Sequence, residues 1–451
     1  MDKKIIRERL SLFRGIIISD ATIIERALGW KLRTYFFPKT NQQASDFLYY
    51  IIETPHFSFD KKILLYEQIP YFKKLSQYSK VKDSLRFVQQ LRNALAHWNL
   101  DEKMSNENEV VYFNPADTEH PVAINILEAK GDEEKQLVAS SLISVFRHLW
   151  KEFWGPRLEH ILYNCVLALM DTPGQTLLGV YRMLVDEAYR KTIVANIKDP
   201  IVKMFWVEDY ENYDPRFRKE IISPVQNKVG QLLTSPQMRN IVGQSKSSVD
   251  FGFVMDQKRI LLANLSKGKV GEDKSNLLGS AIITKMYLSA LERQNLPEEI
   301  RKDFYLYIDE FQNFSTDIFP SILSEARKYR LNLNLAHQYL YQLPESIKHA
   351  VFGNVGTIIS FRVGNYDAKE LAEEMKPVFT SEDLENLDNH HIALRLLIDG
   401  KMSRAFSAIT FPPLKPKGRE AERDTVLRIS RERYSTPRDI VEEKLKNWFE
   451  K

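Results

Sequence analysis

Five apolar runs in the second half of the chain limit its architecture more than any other feature. RILLAN (259–264), FYLYI (304–308), NLNLA (332–336), TIISFRV (357–363) and ALRLLI (393–398) alternate with segments of helical pattern. Short runs of β-branched, aromatic and aliphatic residues without polar alternation read as strands covered on both faces. Strands separated by helices imply crossover connections, so these residues predict a largely parallel sheet between helical layers. VVYF (110–113), followed by the turn NPAD, adds a strand ahead of a helical stretch from Glu133 to about Gly243. The tail from Pro412 is proline- and charge-rich, then helical from Pro437 to the end.

That sheet leaves the first hundred residues to be explained. A chain of 451 residues is too long for one core, and two or three domains are expected. Helical patterns near Lys3–Tyr35, Asn41–Glu53, Asp60–Leu75 and Val81–Trp98 are separated by short turns containing Pro or Ser, as an antiparallel bundle requires. DEKMSNENE (101–109) has little apolar content and reads as a linker. The expected organisation is a helical domain over 1–100, the linker, an α/β domain over 110–411 with a helical portion near 133–250, and a tail over 412–451.

Charge is distributed unevenly between these parts. Residues 1–103 hold 18 Lys and Arg against 11 Asp and Glu, whereas the remainder holds 46 against 49. A basic small domain beside a near-neutral large one fits contact with a polyanion, or equally a solvated lysine-rich surface. No apolar run approaches the roughly 18 residues that span a bilayer. Arg14 and Asp20 interrupt the apolar stretch behind the charged N-terminus, which argues against a signal peptide. The one cysteine, Cys165, excludes an internal disulfide and a cysteine-based metal site. A cytoplasmic protein is the expectation.

Within the basic domain, the helix pattern of Val81–Trp98 carries a stripe of Val81, Leu85, Val88, Leu91, Leu95 and Trp98. Asn93 and His97 are four apart and share a face away from that stripe. Arg92 falls inside or at the edge of the stripe, where its permanent charge needs a partner or a route to water. A histidine can take or give a proton near neutral pH, an arginine can hold a phosphate and stabilise added negative charge, and an asparagine can orient either. A lone histidine at a helix end also serves as a partner for the helix dipole, but that leaves Arg92 and Asn93 without a reason.

The stretch Arg92-Asn93-Ala94-Leu95-Ala96-His97 resembles the signature of the HEPN superfamily, small four-helix domains of prokaryotic toxins and defence proteins. The resemblance covers about residues 1–100, including helix number and motif position. It implies metal-independent endoribonuclease activity, with attack by a 2′-hydroxyl leaving a 2′,3′-cyclic phosphate and a 5′-hydroxyl. It also implies a homodimer, because two copies of the motif make one site in the family. The implied catalytic residues are Arg92, Asn93 and His97. Asp20 and Glu25 on the first helix are supporting candidates that surface ion pairing explains as well. RNA is the implied partner, no cofactor or metal is required for cleavage, and toxin or antiphage defence is the implied role.

From about Val110 the chain resembles HerA/TraG-type ATPases, the translocase and conjugative coupling-protein branch of RecA-like P-loop proteins. FNPADTEHPV (113–122), FWGPRLEHIL (153–162), NLSKGKVGEDKSNLLG (264–279), YLYIDEFQNF (305–314), LSEARKYRLNLNLAHQY (323–339), FGNVGTIISFRVG (352–364) and SRERYSTPRDIVEEKL (430–445) carry the likeness. It places Asp309 and Glu310 as Walker B carboxylates, which order Mg²⁺ and a water in working members. Gln338 matches a sensor position, and Arg362 matches an arginine that reaches phosphate or a neighbouring subunit. The phosphate loop G-x-x-x-x-G-K-[ST] is missing. The two Gly-Lys steps, Gly268-Lys269 and Gly400-Lys401, lack the preceding glycine and the following hydroxyl residue. ATP turnover by this chain alone is therefore not expected, and the nucleotide site reads as vestigial.

The fold class expected is multidomain α and α/β: an all-α four-helix HEPN bundle, then a truncated RecA-like α/β domain with a helical insertion. The function expected is an endoribonuclease whose ATPase-like half sets how the helical domains pair, as a dimer or a ring-like homo-oligomer, or docks on a companion ATPase. Two rivals stand beside it. One is a DNA-translocating or coupling-type ATPase subunit that needs a partner for nucleotide binding. The other is a non-catalytic interaction subunit.

Overall fold

A computed structural model describes residues 110–412 and 420–450. They divide into two compact units, one within Asn106–Val355 and Arg419–Lys451, the other within Gly356–Gly418. The helices expected over residues 1–100 lie outside the described residues.

The larger unit begins with strand β1 (Val110–Phe113) and passes into a helical layer. This comprises α1 (Asp132–Leu149), α2 (Pro156–Met170), α3 (Leu177–Val185), α4 (Glu187–Ala195), α5 (Pro200–Met204), the π-helical turn Phe205–Tyr210, α6 (Pro215–Leu233), α7 (Pro236–Val242) and α8 (Phe251–Asp256). Local chemistry starts these helices. Thr176, Asp186, Asp199, Asp214 and Asp250 each accept a backbone N–H of the following turn, which satisfies groups a helix start leaves open. Proline at the first helical position of α2, α5, α6 and α7 fixes a helical φ where no donor is needed. Trp206, Tyr210 and Cys165 are sealed in this layer. Burial pushes the Cys165 thiol up, so it is a packing residue rather than a nucleophile.

The chain then returns to the sheet. Strand β2 (Ile260–Ala263) pairs with β1 in parallel, Val110 opposite Ile260. A single helical turn, α9 (Lys267–Val270), leads into α10 (Glu272–Glu292), the longest helix of the unit. Strand β3 (Phe304–Ile308), α11 (Phe319–Glu325), β4 (Leu331–Leu335) and α12 (Glu345–Asn354) follow. β3 and β4 pair in parallel with Phe304 opposite Leu331 and Ile308 opposite Leu335. The register sorts side chains by face. Phe304, Leu306 and Ile308 share one face with Leu331, Leu333 and Leu335, and Tyr305 and Tyr307 share the other with Asn332 and Asn334. Tyr307 is 63% exposed. The expectation that these strands are covered on both faces therefore fails on the Tyr/Asn side.

The smaller unit is antiparallel where a parallel sheet was expected. Strand β5 (Ile358–Ser360), α13 (Asn365–Glu374), α14 (Ser381–Glu385), β6 (His391–Arg395), β7 (Leu397–Ile398), β8 (Lys401–Met402) and β9 (Phe406–Ile409) make it up. β6 lies between β5 and β9, antiparallel to both. The run ALRLLI is split at Leu396, whose N–H goes to Ser403 Oγ (3.0 Å) and whose carbonyl accepts Ser403 N–H (2.7 Å). That exchange breaks the strand into β6 and β7. Asp399 (φ 48°) and Gly400 (φ 77°) turn the β7–β8 hairpin, the left-handed pair that a two-residue hairpin loop requires.

The tail returns to the larger unit with one more helix than expected, α15 (Glu420–Tyr434), ahead of α16 (Arg438–Glu450). Ser430 Oγ on α15 accepts Tyr112 N–H at 2.8 Å, and Arg431 pairs with Asp117 at 2.7 Å. α16 buries Val441 and Leu445, and Arg182 donates to the Trp448 carbonyl at 2.9 Å. Among the described residues, no helix is long and apolar enough to cross a membrane.

Candidate functional site

In open α/β sheets the carboxyl ends of parallel strands are where ligands bind, because loops and helix ends converge there. Asp309 and Glu310 follow β3 at this end. Asp309 is exposed, and its Oδ1 accepts the Glu310 N–H at 3.0 Å. Glu310 stands in the left-handed region, φ 51° and ψ 46°. A residue with a Cβ adopts this conformation at a cost of about 1 kcal/mol or more, and such residues collect at functional sites.

Amide side chains hold Glu310 in place. Gln312 Nε2 donates to Oε2 at 2.6 Å, Gln338 Nε2 to Oε1 at 2.5 Å, and Asn313 Nδ2 to the Glu310 carbonyl at 3.0 Å. Both carboxylate oxygens therefore accept a hydrogen bond that favours the charged form. The Gln312 bond, then the Gln338 bond, hold the Glu310 pKa below the ordinary glutamate value, with Lys267 and His337 adding to them. We expect Gln338→Leu to move this pKa up towards the ordinary value, read by carboxyl-carbon NMR titration. An unchanged titration would show that Gln338 does not grip Glu310. Since the folded pKa is depressed, what this contact contributes to stability is present above the ordinary glutamate range and is lost as pH falls through the folded pKa.

The cradle of this carboxylate is buried aromatic structure. Phe311 is fully buried, its N–H donates to Ala336 O at 3.0 Å, and its ring packs on Phe319 and the edge of His337. Phe314 closes over α10 at Gly279, where a Cβ would collide with its ring and approach Leu265 Cδ1 to 2.9 Å. The glycine is thus required for α10 to lie against the turn that carries Glu310. On the β2 side, Lys267 Nζ donates to Asn313 Oδ1 at 2.8 Å and pairs with Glu272 at 2.6 Å.

Of the residues singled out in the sequence, Asp309, Glu310 and Gln338 come together here. Arg362 lies in the smaller unit, exposed after β5. Arg92, Asn93, His97, Asp20 and Glu25 lie outside the described residues. Lys267, Gln312 and Asn313 were not anticipated. All three sit inside the motif runs NLSKGKVGED and YLYIDEFQNF, but nothing in residue type announced which carboxylate they would serve.

The fit of a magnesium nucleotide can be tested on these residues. The acidic side suits it: two adjacent carboxylates at a strand end are what a hydrated Mg²⁺ takes, since it keeps most of its waters. Among the described residues, no group of three or more His, Cys, Asp and Glu forms an all-protein metal cage. The phosphate side does not fit. Gly400-Lys401 belongs to the β7–β8 hairpin. Gly268-Lys269 lies in α9, the single turn that joins β2 to α10. The α10 start, however, carries Glu272 and Asp273. Carboxylates at a helix N-terminus oppose an anion where a phosphate loop would attract one.

No protein-family profile matches the chain. No curated protein matches it in sequence. Among solved structures, it is similar to the unbound monoclinic form of the bacterial conjugative coupling protein TrwBdeltaN70, with 13% identity, 72% of this chain and 80% of that one covered, and a TM-score of 0.48. It is similar to the plasmid coupling protein TrwB in complex with ADP and Mg²⁺, with 12% identity over 65% of this chain and 73% of that one and a TM-score of 0.46. VirB4 of Thermoanaerobacter pseudethanolicus shares 12% identity over 74% of this chain and 86% of its own, with a TM-score of 0.44.

Proposed function

We propose that this chain is a subunit of a DNA-translocating or coupling-type ATPase assembly and supplies the carboxylate half of a nucleotide site, with a companion chain supplying the phosphate half. The observation that carries this reading is the grip on Glu310: a left-handed strand-end carboxylate with one amide donor on each oxygen, from the loops after two adjacent parallel strands. Lys258, Arg330, His390 and Asp399 are left-handed too, so it is the amide donor on each carboxylate oxygen that sets Glu310 apart. The family resemblance of 110–451 agrees with this reading, and the acidic start of α10 argues against nucleotide binding by the chain alone. Equilibrium binding of a fluorescent ATP with Mg²⁺ is the test, and the purified chain alone should show no saturable binding.

A second activity is favoured by the spacing of Arg92, Asn93 and His97 in a basic segment. In this reading the chain is also a metal-independent endoribonuclease, acting as a toxin or defence effector. His97 moves the proton, Arg92 holds the phosphate, and two copies meet in a homodimer or larger ring to complete the site. The ATPase-like part then serves as assembly or regulatory scaffold. A non-catalytic role for residues 1–100 is separated from this one by His97→Ala.

A further inference from the structure

α1 and α10 do not close fully on each other. A cavity of about 20 Å³ lies between Val138 and Leu142 of α1 and Leu277, Ala281 and Leu288 of α10. Lys285 of α10 lines the same cavity, with 13% of its side chain open to solvent. Its Nζ is held loosely, 3.4 Å from the Glu128 carbonyl oxygen and 3.5 Å from Glu128 Oε2. Other ammonium groups of this unit are gripped closely: Lys130 lies 2.7 Å from Glu292, and Lys135 lies 2.7 Å from Asp171. Burial holds the Lys285 pKa below the ordinary lysine value, against the pull of Glu128 and Glu134 and with an addition from Lys130. Burial acts on Lys130 and Lys135 as well, but Glu292 for the one, and Asp132 and Asp171 for the other, outweigh it and raise both pKa values.

We propose that Lys285 Nζ is an acylation site that takes an acetyl-sized group from a small acyl phosphate. A lysine amine desolvated in an apolar pocket is a nucleophile near neutral pH, where an ordinary lysine is protonated. Size selects the acyl group. A cavity of about 20 Å³ admits one water-sized group such as a methyl, and lies far below the roughly 150 Å³ that holds benzene. In the reaction the nitrogen lone pair forms a bond to the acyl carbon, the C–O bond to phosphate breaks, and phosphate leaves with that electron pair. Glu128 Oε2, 3.5 Å from Nζ on a side chain 39% exposed, takes the amine proton and returns it to water. The product suits the place better than the reactant. An amide is uncharged, so the cost of burying an ammonium is lost, and its methyl fills the cavity. Glu128 stays solvated and needs no partner. α10 also carries Gly279, on which Phe314 of the Glu310 turn closes, so the modification falls on the helix that the carboxylate site is built against.

The test is timed treatment of the purified full chain with acetyl phosphate, followed by peptide mass spectrometry. Lys130, Lys135 and Lys191 are the internal standards, because carboxylates hold their ammonium groups. Lys285 should be acetylated roughly tenfold faster than these three, the factor that one pKa unit confers on the fraction of free amine. Its rate should also level off at a lower pH than theirs. Butyryl phosphate should erase the lead of Lys285, since the longer chain exceeds the cavity. Ala281→Val narrows the cavity and should erase the lead with acetyl phosphate too, while Lys191 reacts as before. If that variant does not fold, the comparison of the two acyl phosphates on the unaltered chain decides. Acetylation of Lys285 no faster than that of the three paired lysines overturns the proposal, and so does an equal lead with the butyryl group.

Discussion

Replacing Arg293 with alanine lowers the thermal midpoint of the larger unit by about 10 °C, the largest loss of stability expected from one side chain in the sheet region. Arg293 is 2% exposed. Its Nε and Nη2 lie 3.0 and 2.9 Å from Asp256 Oδ1, and its Nη1 donates to the carbonyls of Lys302 (2.9 Å) and Tyr329 (3.0 Å). Those carbonyls lie just ahead of β3 and β4, so one guanidinium fixes the starts of both strands against the end of α10. Alanine leaves two carbonyls without donors, a half-exposed Asp256 without its partner, and a cavity. Breaking a buried charged network of this kind costs roughly 3–5 kcal/mol, and about 2–4 °C follow from each kcal/mol in a domain of this size. Arg293→Lys recovers little, because an ammonium cannot span the fork. Calorimetry decides the matter: a shift under about 2 °C would show that the three contacts are not held in solution.

The second large effect concerns residues 1–100. In the RNA-cleavage reading, His97→Ala lowers cleavage by the full chain by about 10²–10⁴-fold, the usual contribution of a positioned proton-transfer group. Folding should be unaffected, since the sequence pattern sets His97 apart from the apolar positions Val81, Leu85, Val88, Leu91, Leu95 and Trp98. Total RNA on a gel after induction, beside the variant, reads the effect directly. Chelator should leave wild-type cleavage unchanged and the product ends should be cyclic phosphates. Cleavage that survives in the variant, or that chelator abolishes, removes the mechanism. Silence in both chains supports the non-catalytic role.

Much of the sheet could be read from residue order. VVYF, RILLAN, FYLYI and NLNLA fall within a residue or two of β1–β4 because each is an apolar run flanked by polar or turn residues. The same runs carry no mark of strand direction, so antiparallel β5 and β6 read like the parallel strands before them. Coverage was also hidden. FYLYI looks uniformly apolar, but only pairing with NLNLA shows that tyrosine and asparagine share one open face. α15 was lost among its charges, with Val426, Leu427 and Ile429 its few apolar residues. Asp399 and Gly400 turn the β7–β8 hairpin, and the hairpin explains why Lys401 is no phosphate ligand. At the site, the carboxylates and Gln338 were legible through the resemblance to HerA/TraG-type ATPases carried by YLYIDEFQNF and LSEARKYRLNLNLAHQY. The grip of Gln312, the bond of Asn313 and the position of Lys267 depend on a left-handed residue and on α10 closing at Gly279, neither of which residue type alone determines.

The account stands most directly on one titration: a fluorescent ATP with Mg²⁺ against the purified full chain, followed to millimolar nucleotide. The half-site reading predicts no saturable binding by the chain alone, because the α10 start at this end is acidic and the sequence carries no G-x-x-x-x-G-K-[ST] loop. Saturable, magnesium-dependent binding in the micromolar range, abolished by Asp309→Ala, would contradict it, since the chain would then hold both halves of the site by itself.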